Sequence, residues 1–198
     1  MTPGAALERG LRELQLVLPG RAADQLMQYV ALLTKWNRTY NLTAVREPLE
    51  MVSHHLLDSL AVTPHLPMPA QGTLADAGSG AGLPGIPLAI ARPDWRVTVN
   101  DANQKKAAFL RQAALELGLP NVSVHEGRVE AWRPAARFDV VISRAFAELN
   151  DFIASCRHLA VVLAAMKGVT PQAPGCRVIA LKVPMLDAQR HLVLCPAS

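Results

Sequence analysis

With 198 residues, 51% hydrophobic and 18% charged, the chain is too apolar to be disordered and long enough for one domain with a real core. A net charge of +4 leans toward an anionic partner such as nucleic acid. A mildly basic surface is also common in proteins that bind none, so charge alone favours the blander reading. No apolar run approaches the roughly 20 residues that span a bilayer, which excludes a transmembrane helix.

In chain order, the first 65 residues read as helices. In "ADQLMQYVALLTKWN", Leu26, Tyr29, Val30, Leu33 and Trp36 fall at three- and four-residue steps and make one apolar face. A second helix is expected from Pro48 to about Val62, with Leu49, Val52, Leu56 and Leu60 inward. "PHLPMPAQG", residues 64–72, is the linker candidate, dividing a helical segment 1–65 from a domain 66–198. Beyond it, "TLADAG", "RVTVND", "NVSVHEG" and "FDVVISR" read as strands, and "GIPLAIARP" and "QKKAAFLRQAALELGL" as helices. Gly118 stops the second of these. Alternating strands and helices give βαβ units, hence a mostly parallel α/β sheet with helices on both faces. "LAVVLAAMK", "RVIALKV" and "HLVLC" follow as strands, the last placed to close the sheet edge.

"LADAGSGAGLPGIPLAI", residues 74–90, concentrates glycine between two segments that want burial. Such a turn leaves backbone N–H groups open to a ligand at the carboxyl end of a strand. Asp101 ends the next strand about 20 residues on, the spacing of an acid that accepts from ribose hydroxyls. The glycines repeat every second residue rather than as G-x-G-x-x-G, and Pro84 and Pro87 sit where a pyrophosphate-binding helix would begin. Asp76 adds negative charge beside the loop, which suits a cationic cofactor, S-adenosylmethionine, better than a dinucleotide. An NAD(P)-linked oxidoreductase and a non-catalytic RNA-binding or assembly module remain as alternatives.

Cys156, Cys176 and Cys195 lack the close pairing of a zinc site and read as reduced thiols of a cytoplasmic protein. The N-terminus has no basic start followed by an apolar core, so no secretory leader is expected. His54 and Asp58 are expected on one helix face, joined by a structural hydrogen bond; no metal site is read. Lys105, Lys106 and Arg111 read as a solvated helix face, and Phe146 as a core or hinge ring rather than a base-stacking one.

The strings "KWNRTYNLTAVREPLEMVSHHLLDSL", "DAGSGAGLPGIPLAI", "GRVEAW", "FDVVISRAFAELNDFI", "MKG" and "VPMLDAQRHLV" resemble the bacterial ribosomal RNA small subunit methyltransferase G (GidB) family, in order along nearly the whole chain. The resemblance implies a Rossmann-like class I S-adenosylmethionine-dependent methyltransferase fold preceded by N-terminal helices. It implies methyl transfer to N7 of one guanine, guanine 527 in the 530 loop of 16S rRNA. The partner is then 16S rRNA or the small ribosomal subunit; no membrane is expected, and nothing in the sequence demands more than a monomer. Family cofactor positions fall on Gly78, Leu83, Val129, Glu130 and Arg144, joined by Gly80 and Asp101 of the loop reading. Arg144, Arg128 and Lys167 are the catalytic candidates, and Asn37, Asn41, Thr43 and Arg46 are placed at the mouth of the site. The chain departs from the family pattern in having no Pro-Gly-Gly-like turn in "CRHLAVVLAAMKG" and only a short bridge, "VTPQAPGC", after it. N7 has a lone pair and no proton, so the reaction needs no general base, and none is evident; arginine stays protonated and cannot be one.

Overall fold

A computed structural model describes residues 1–144, 146, 148–170 and 172–197. Ala145 and Ala147 of the family string, and Pro171 of the short bridge, lie outside the described residues.

Helix α1 (Pro3–Glu13) starts at Thr2, whose hydroxyl accepts from the Ala5 N–H. Helix α2 (Ala22–Tyr40) buries Leu26, Tyr29, Val30 and Leu33, as the periodicity requires, and stops where Asn41 turns left-handed at φ 49°. The expected helix from Pro48 is interrupted. An α-turn, α3 (Pro48–Met51), passes into a π-helical segment (Val52–Leu57) and back to α4 (Asp58–Leu60). A π-turn carries an extra residue, so side chains leave the three-and-four spacing. Val52, Leu56 and Leu60 still face inward, but Leu49 is 40% exposed.

The strands are β1 (Thr73–Ala77), β2 (Arg96–Asp101), β3 (Val122–Glu126), β4 (Phe138–Ser143), β5 (Ala160–Lys167), β6 (Arg177–Leu181) and β7 (Arg190–Pro196). Helices α5 (Gly85–Ala91), α6 (Gln104–Glu116) and α7 (Leu149–Cys156) connect them. They form one sheet in the order β3-β2-β1-β4-β5-β7-β6, parallel through β5, with β7 antiparallel to both of its neighbours. This is the doubly wound α/β arrangement expected, with its switch point between β1 and β4.

The C-terminal strands correct one expectation. β7 does not close the sheet; it inserts between β5 and β6, and β6 is the edge. Burial explains the choice: β7 is apolar on both faces and largely buried, whereas most of β6 is exposed. The same register sets Arg177 opposite Leu194, so Cys176 and Cys195 meet, and they form a disulfide instead of two reduced thiols. Cys156 alone is a free thiol, and burial pushes it up to about 12.

Alternation along the strands builds two cores. Leu74, Val97, Val99, Val140 and Ile142 face the N-terminal helices and share one cluster with Leu7, Leu26, Leu33, Leu56 and Leu60. Ala75, Ala77, Val141 and Leu163 face the other way and pack with Phe152 of α7 and Val193.

Candidate active site

The loop after β1 turns on three left-handed glycines, Gly78, Gly80 and Gly82, at φ 69°, 59° and 90°. Residues with a side chain rarely adopt that conformation, and this is the local reason for the glycine run. Buried polar groups then fix the loop. The Ser79 N–H donates to the Asn100 carbonyl at 2.7 Å, and the N–H groups of Gly82 and Leu83 donate to the Ser79 carbonyl. Asp101, at the end of β2, accepts from the Gly80 N–H at 2.9 Å and, through its other oxygen, from Asn103 N–H at 2.8 Å. The Tyr29 hydroxyl reaches from α2 to donate to the Ala81 carbonyl at 2.6 Å, and burial raises that phenol far above its ordinary value.

Asp76 behaves differently from the open charge expected beside the loop. It is fully buried, accepts from the Gly85 N–H at 2.8 Å at the start of α5, and its other oxygen has no partner among the described residues. Burial pushes its carboxyl up to about 6. Its role is to fix the strand–helix turn from beneath.

Above the loop lies a cleft of about 230 Å³. Residues 78–81 and Leu83 form its floor, Leu42 and Thr43 one wall, and Lys106 of α6 and Arg144 the others. The N-terminal signature divides. Buried Asn37 donates to the Val45 carbonyl and accepts from the Thr43 N–H at 2.9 Å, so it shapes the wall from behind. Asn41 and Arg46 are exposed and bond each other. Thr43 also pairs its hydroxyl with His55 at 2.8 Å; burial, reinforced by the Arg144 guanidinium, pulls His55 down to about 4.

Val129 and Glu130 lie on the 3-10 turn (Val129–Ala131) that follows β3, Val129 buried and Glu130 about half exposed. Asn100 holds the end of β3 by donating to the carbonyls of His125 and Gly127, and Trp132 stacks on His125 at 4.2 Å. Arg128 is 78% exposed, 3.6 Å from Glu130, and lines neither the glycine cleft nor the cavity described next.

Arg144 follows β4, directly across the switch point. One guanidinium nitrogen donates to the His54 carbonyl at 3.1 Å and to Asp58 Oδ2 at 3.2 Å. The other Asp58 oxygen accepts from Arg190 Nε at 3.0 Å. The expected His54–Asp58 bond is therefore replaced: His54 sits in the π segment and its ring bonds Glu50 and Ser53, while Asp58 turns to two arginines. With Lys167, Met166 and Gly168 these residues enclose a second cavity of about 280 Å³. Lys167 donates to the Phe146 carbonyl at 2.6 Å, and burial pulls its ammonium down, opposed by Glu148. Phe146 packs its ring against Phe152.

Arg144 and Lys167 thus share a cavity, and Gly78, Gly80, Leu83 and Arg144 share a cleft with Asp101 bonded to its floor. Tyr29, Asn100, Lys106, Asp58 and Arg190 were not singled out from sequence as site residues. Of the predicted basic helix face, Lys106 enters the cleft, Lys105 is exposed and Arg111 pairs with Glu126 at 2.8 Å. Among the described residues no cluster of three or more His, Cys, Asp or Glu could hold a metal, and no helix is long and apolar enough to cross a membrane.

The sequence signature of the rRNA small subunit methyltransferase G family matches residues 22–173. The ribosomal RNA small subunit methyltransferase G of Methylobacillus flagellatus is 53% identical, covering 96% of this chain and 97% of its own length. Its namesake from Chromobacterium violaceum is 51% identical, covering 96% and 95%. A SAM dependent methyltransferase from Aquifex aeolicus shares the fold with a TM-score of 0.58 at 16% identity, over 83% of this chain and 97% of its own. Fold, signature and near-full-length identity agree: the chain belongs to the rRNA small subunit methyltransferase G family.

Proposed function

We propose that this protein transfers the methyl group of S-adenosylmethionine to N7 of guanine 527 in the 530 loop of 16S rRNA. The observation that carries the reading is the place of Arg144. Seated after β4 at the switch point of a class I methyltransferase sheet, it lines both the glycine cleft and the cationic cavity. The oxidoreductase and the non-catalytic alternatives have no such support, and family membership argues against both.

The cleft suits the cofactor. A Cβ built on Gly80 meets nothing within 4 Å, so the loop is open toward a ligand, and an acid stands beside it at the end of β2. Bound there, S-adenosylmethionine supplies an electrophilic methyl group on a sulfonium sulfur. Gly78, Gly80 and Leu83 hold its amino-acid part against the backbone, Asp101 accepts from its ribose hydroxyls, and Val129 and Glu130 frame its adenine.

Guanine N7 presents a lone pair, so no residue need remove a proton. The chain's work is orientation, holding N7 in line with the methyl–sulfur bond and excluding water. Arg144 and Lys167 direct the substrate from the cavity side, while exposed Arg128 meets RNA at the rim. Arg144 does not grip N7 itself, since that would occupy the nucleophile; guanine O6, a phosphate or the cofactor carboxylate are its partners. Residues 1–65 act as a helical wall on a catalytic domain of residues 66–198, and the enzyme works as a cytoplasmic monomer.

The test is methyl transfer from labelled S-adenosylmethionine to small-subunit particles and to naked 16S rRNA, both from cells lacking the modification. Label confined to N7 of guanine 527 is expected. Label on another base, or none despite tight cofactor binding, would overturn the substrate assignment.

A further inference from the structure

We propose that the cavity between Asp58, Arg144, Lys167 and Arg190 holds one phosphodiester group of the RNA substrate, with Asp58 as the positioning residue that spreads the two arginines across it. This rests on the methyl-transfer reading above.

The charge balance comes first. Three cationic side chains and one carboxylate line the recess; Glu148 acts on Lys167 from outside the lining, and the two arginines share the single Asp58 carboxylate, which leaves the recess net positive. The Asp58 side chain is 2% exposed and gives one oxygen to each arginine, at 3.2 Å and 3.0 Å. A carboxylate shared in this way takes one nitrogen of each guanidinium and holds the two side chains apart on either side of it. Arg144 spends one nitrogen on Asp58 and the His54 carbonyl; Arg190 spends Nε on Asp58 and Nη1 on the Gln189 carbonyl. Among the described residues, Nε and Nη2 of Arg144 and Nη2 of Arg190 have no partner. Each guanidinium carries five N–H donors in a rigid fork that matches phosphate geometry, so donors remain for an anion.

The lining also says which anion. It has no aromatic ring, and Met166 is its one apolar side chain, so it offers a nucleobase no ring to stack on. The cofactor carboxylate is a poor occupant, because it comes with an ammonium and a sulfonium that an excess of positive charge repels. A phosphodiester brings one negative charge and no cation. Only Arg144 is shared with the glycine cleft, so a phosphate held here anchors the strand one side chain away from the cofactor.

The test uses the full chain and its Arg190→Gln and Arg190→Lys variants. Inorganic phosphate is titrated and followed by phosphorus NMR, and 16S rRNA binding is measured across salt concentrations. Arg190→Gln is expected to weaken phosphate binding at least tenfold. It should also lower the slope of log affinity for rRNA against log salt by about 0.7–0.9, the loss of one phosphate contact. Arg190→Lys should retain most of that slope, which separates a charge effect from a folding defect. S-adenosylmethionine affinity should stay within twofold. Phosphate binding and salt slope unchanged in Arg190→Gln would overturn the proposal, as would cofactor affinity falling in step with phosphate affinity. If the wild type binds phosphate through Arg190 but neither binds nor methylates rRNA, the methyl-transfer reading has failed, and with it the RNA identity of the occupant.

Discussion

The floor of the glycine cleft is backbone, and buried polar neighbours hold it and the turn beneath it: Asp101 on Gly80, Tyr29 on Ala81, Asp76 on Gly85. In the adjoining cavity the groups facing the ligand are long side chains, oriented by one buried carboxylate. The first arrangement is stiff, because each hydrogen bond fixes a φ/ψ pair as well as a side chain. The second is adjustable, because Arg144 and Arg190 keep about a quarter of their side-chain surface in solvent, at 29% and 24%. A small cofactor of fixed shape suits the former and a flexible polyanion the latter. Substitutions in the two regions should therefore fail differently.

The largest effect is expected beneath the glycine loop. A Cβ on Gly85 would lie 2.6 Å from Val99 and 2.8 Å from the Asp76 carboxylate, with no flexible tip to move aside. Gly85→Ala should cost about 1–3 kcal/mol of stability in chemical denaturation, at the upper end if the Asp76 bond breaks too. An unchanged midpoint would show that the turn is softer than its contacts imply. Matching it at the upper end is Asp101→Ala, expected to weaken S-adenosylmethionine binding by about 1.5–3 kcal/mol in calorimetry. Unchanged affinity would remove Asp101 from the ribose role. Tyr29→Phe deletes only the bond to the Ala81 carbonyl and should cost about 0.5–1.5 kcal/mol, with a rise in the KM for cofactor.

Acid stability sharpens the contrast further. Asp76, raised to about 6, stabilises the fold below the ordinary carboxylate range, and that contribution is lost as pH rises through 6. His55, lowered to about 4, does the reverse: its contribution is present above its ordinary value of 6.5 and is lost as pH falls toward 4. The two slopes oppose each other between pH 4 and 6. Asp76→Asn should therefore make stability fall more steeply on acidification, and His55→Asn less steeply; parallel curves for all three proteins would contradict both assignments. The smallest effect belongs to Arg128. At 78% exposure Arg128→Ala should leave thermal stability unchanged and lower rRNA affinity uniformly, reducing the salt slope by about one.

The same contrast explains what was legible in the sequence. The glycine loop and Asp101 are one βαβ unit, so 20-odd residues of local pattern carry the whole device, and the strands from β1 to β4 follow from alternation and turn residues. The cavity joins Asp58, Arg144 and Arg190, which are 86 and 132 residues apart in their pairings, and no local pattern links them. Arg190 stood within a family-like string without a role because its partner, Asp58, lies 132 residues away along the chain. The π segment escaped for a related reason: Met51 through Leu60 looks helical in composition, and the extra residue shows only where side chains meet the core. The edge position of β6 and the Cys176–Cys195 pairing were both consequences of inserting β7 beside β5, a choice made by burial rather than by strand propensity.

Arg144 joins the two regions, and the most direct test of the account is single-turnover methyl transfer by Arg144→Ala, measured beside its unfolding curve. Asp58 keeps Arg190 in that variant, so the protein should stay folded. The account predicts turnover lowered at least a hundredfold with the unfolding midpoint nearly preserved. Wild-type turnover in a folded Arg144→Ala protein would contradict it, and would place the meeting of cofactor and substrate elsewhere on the sheet.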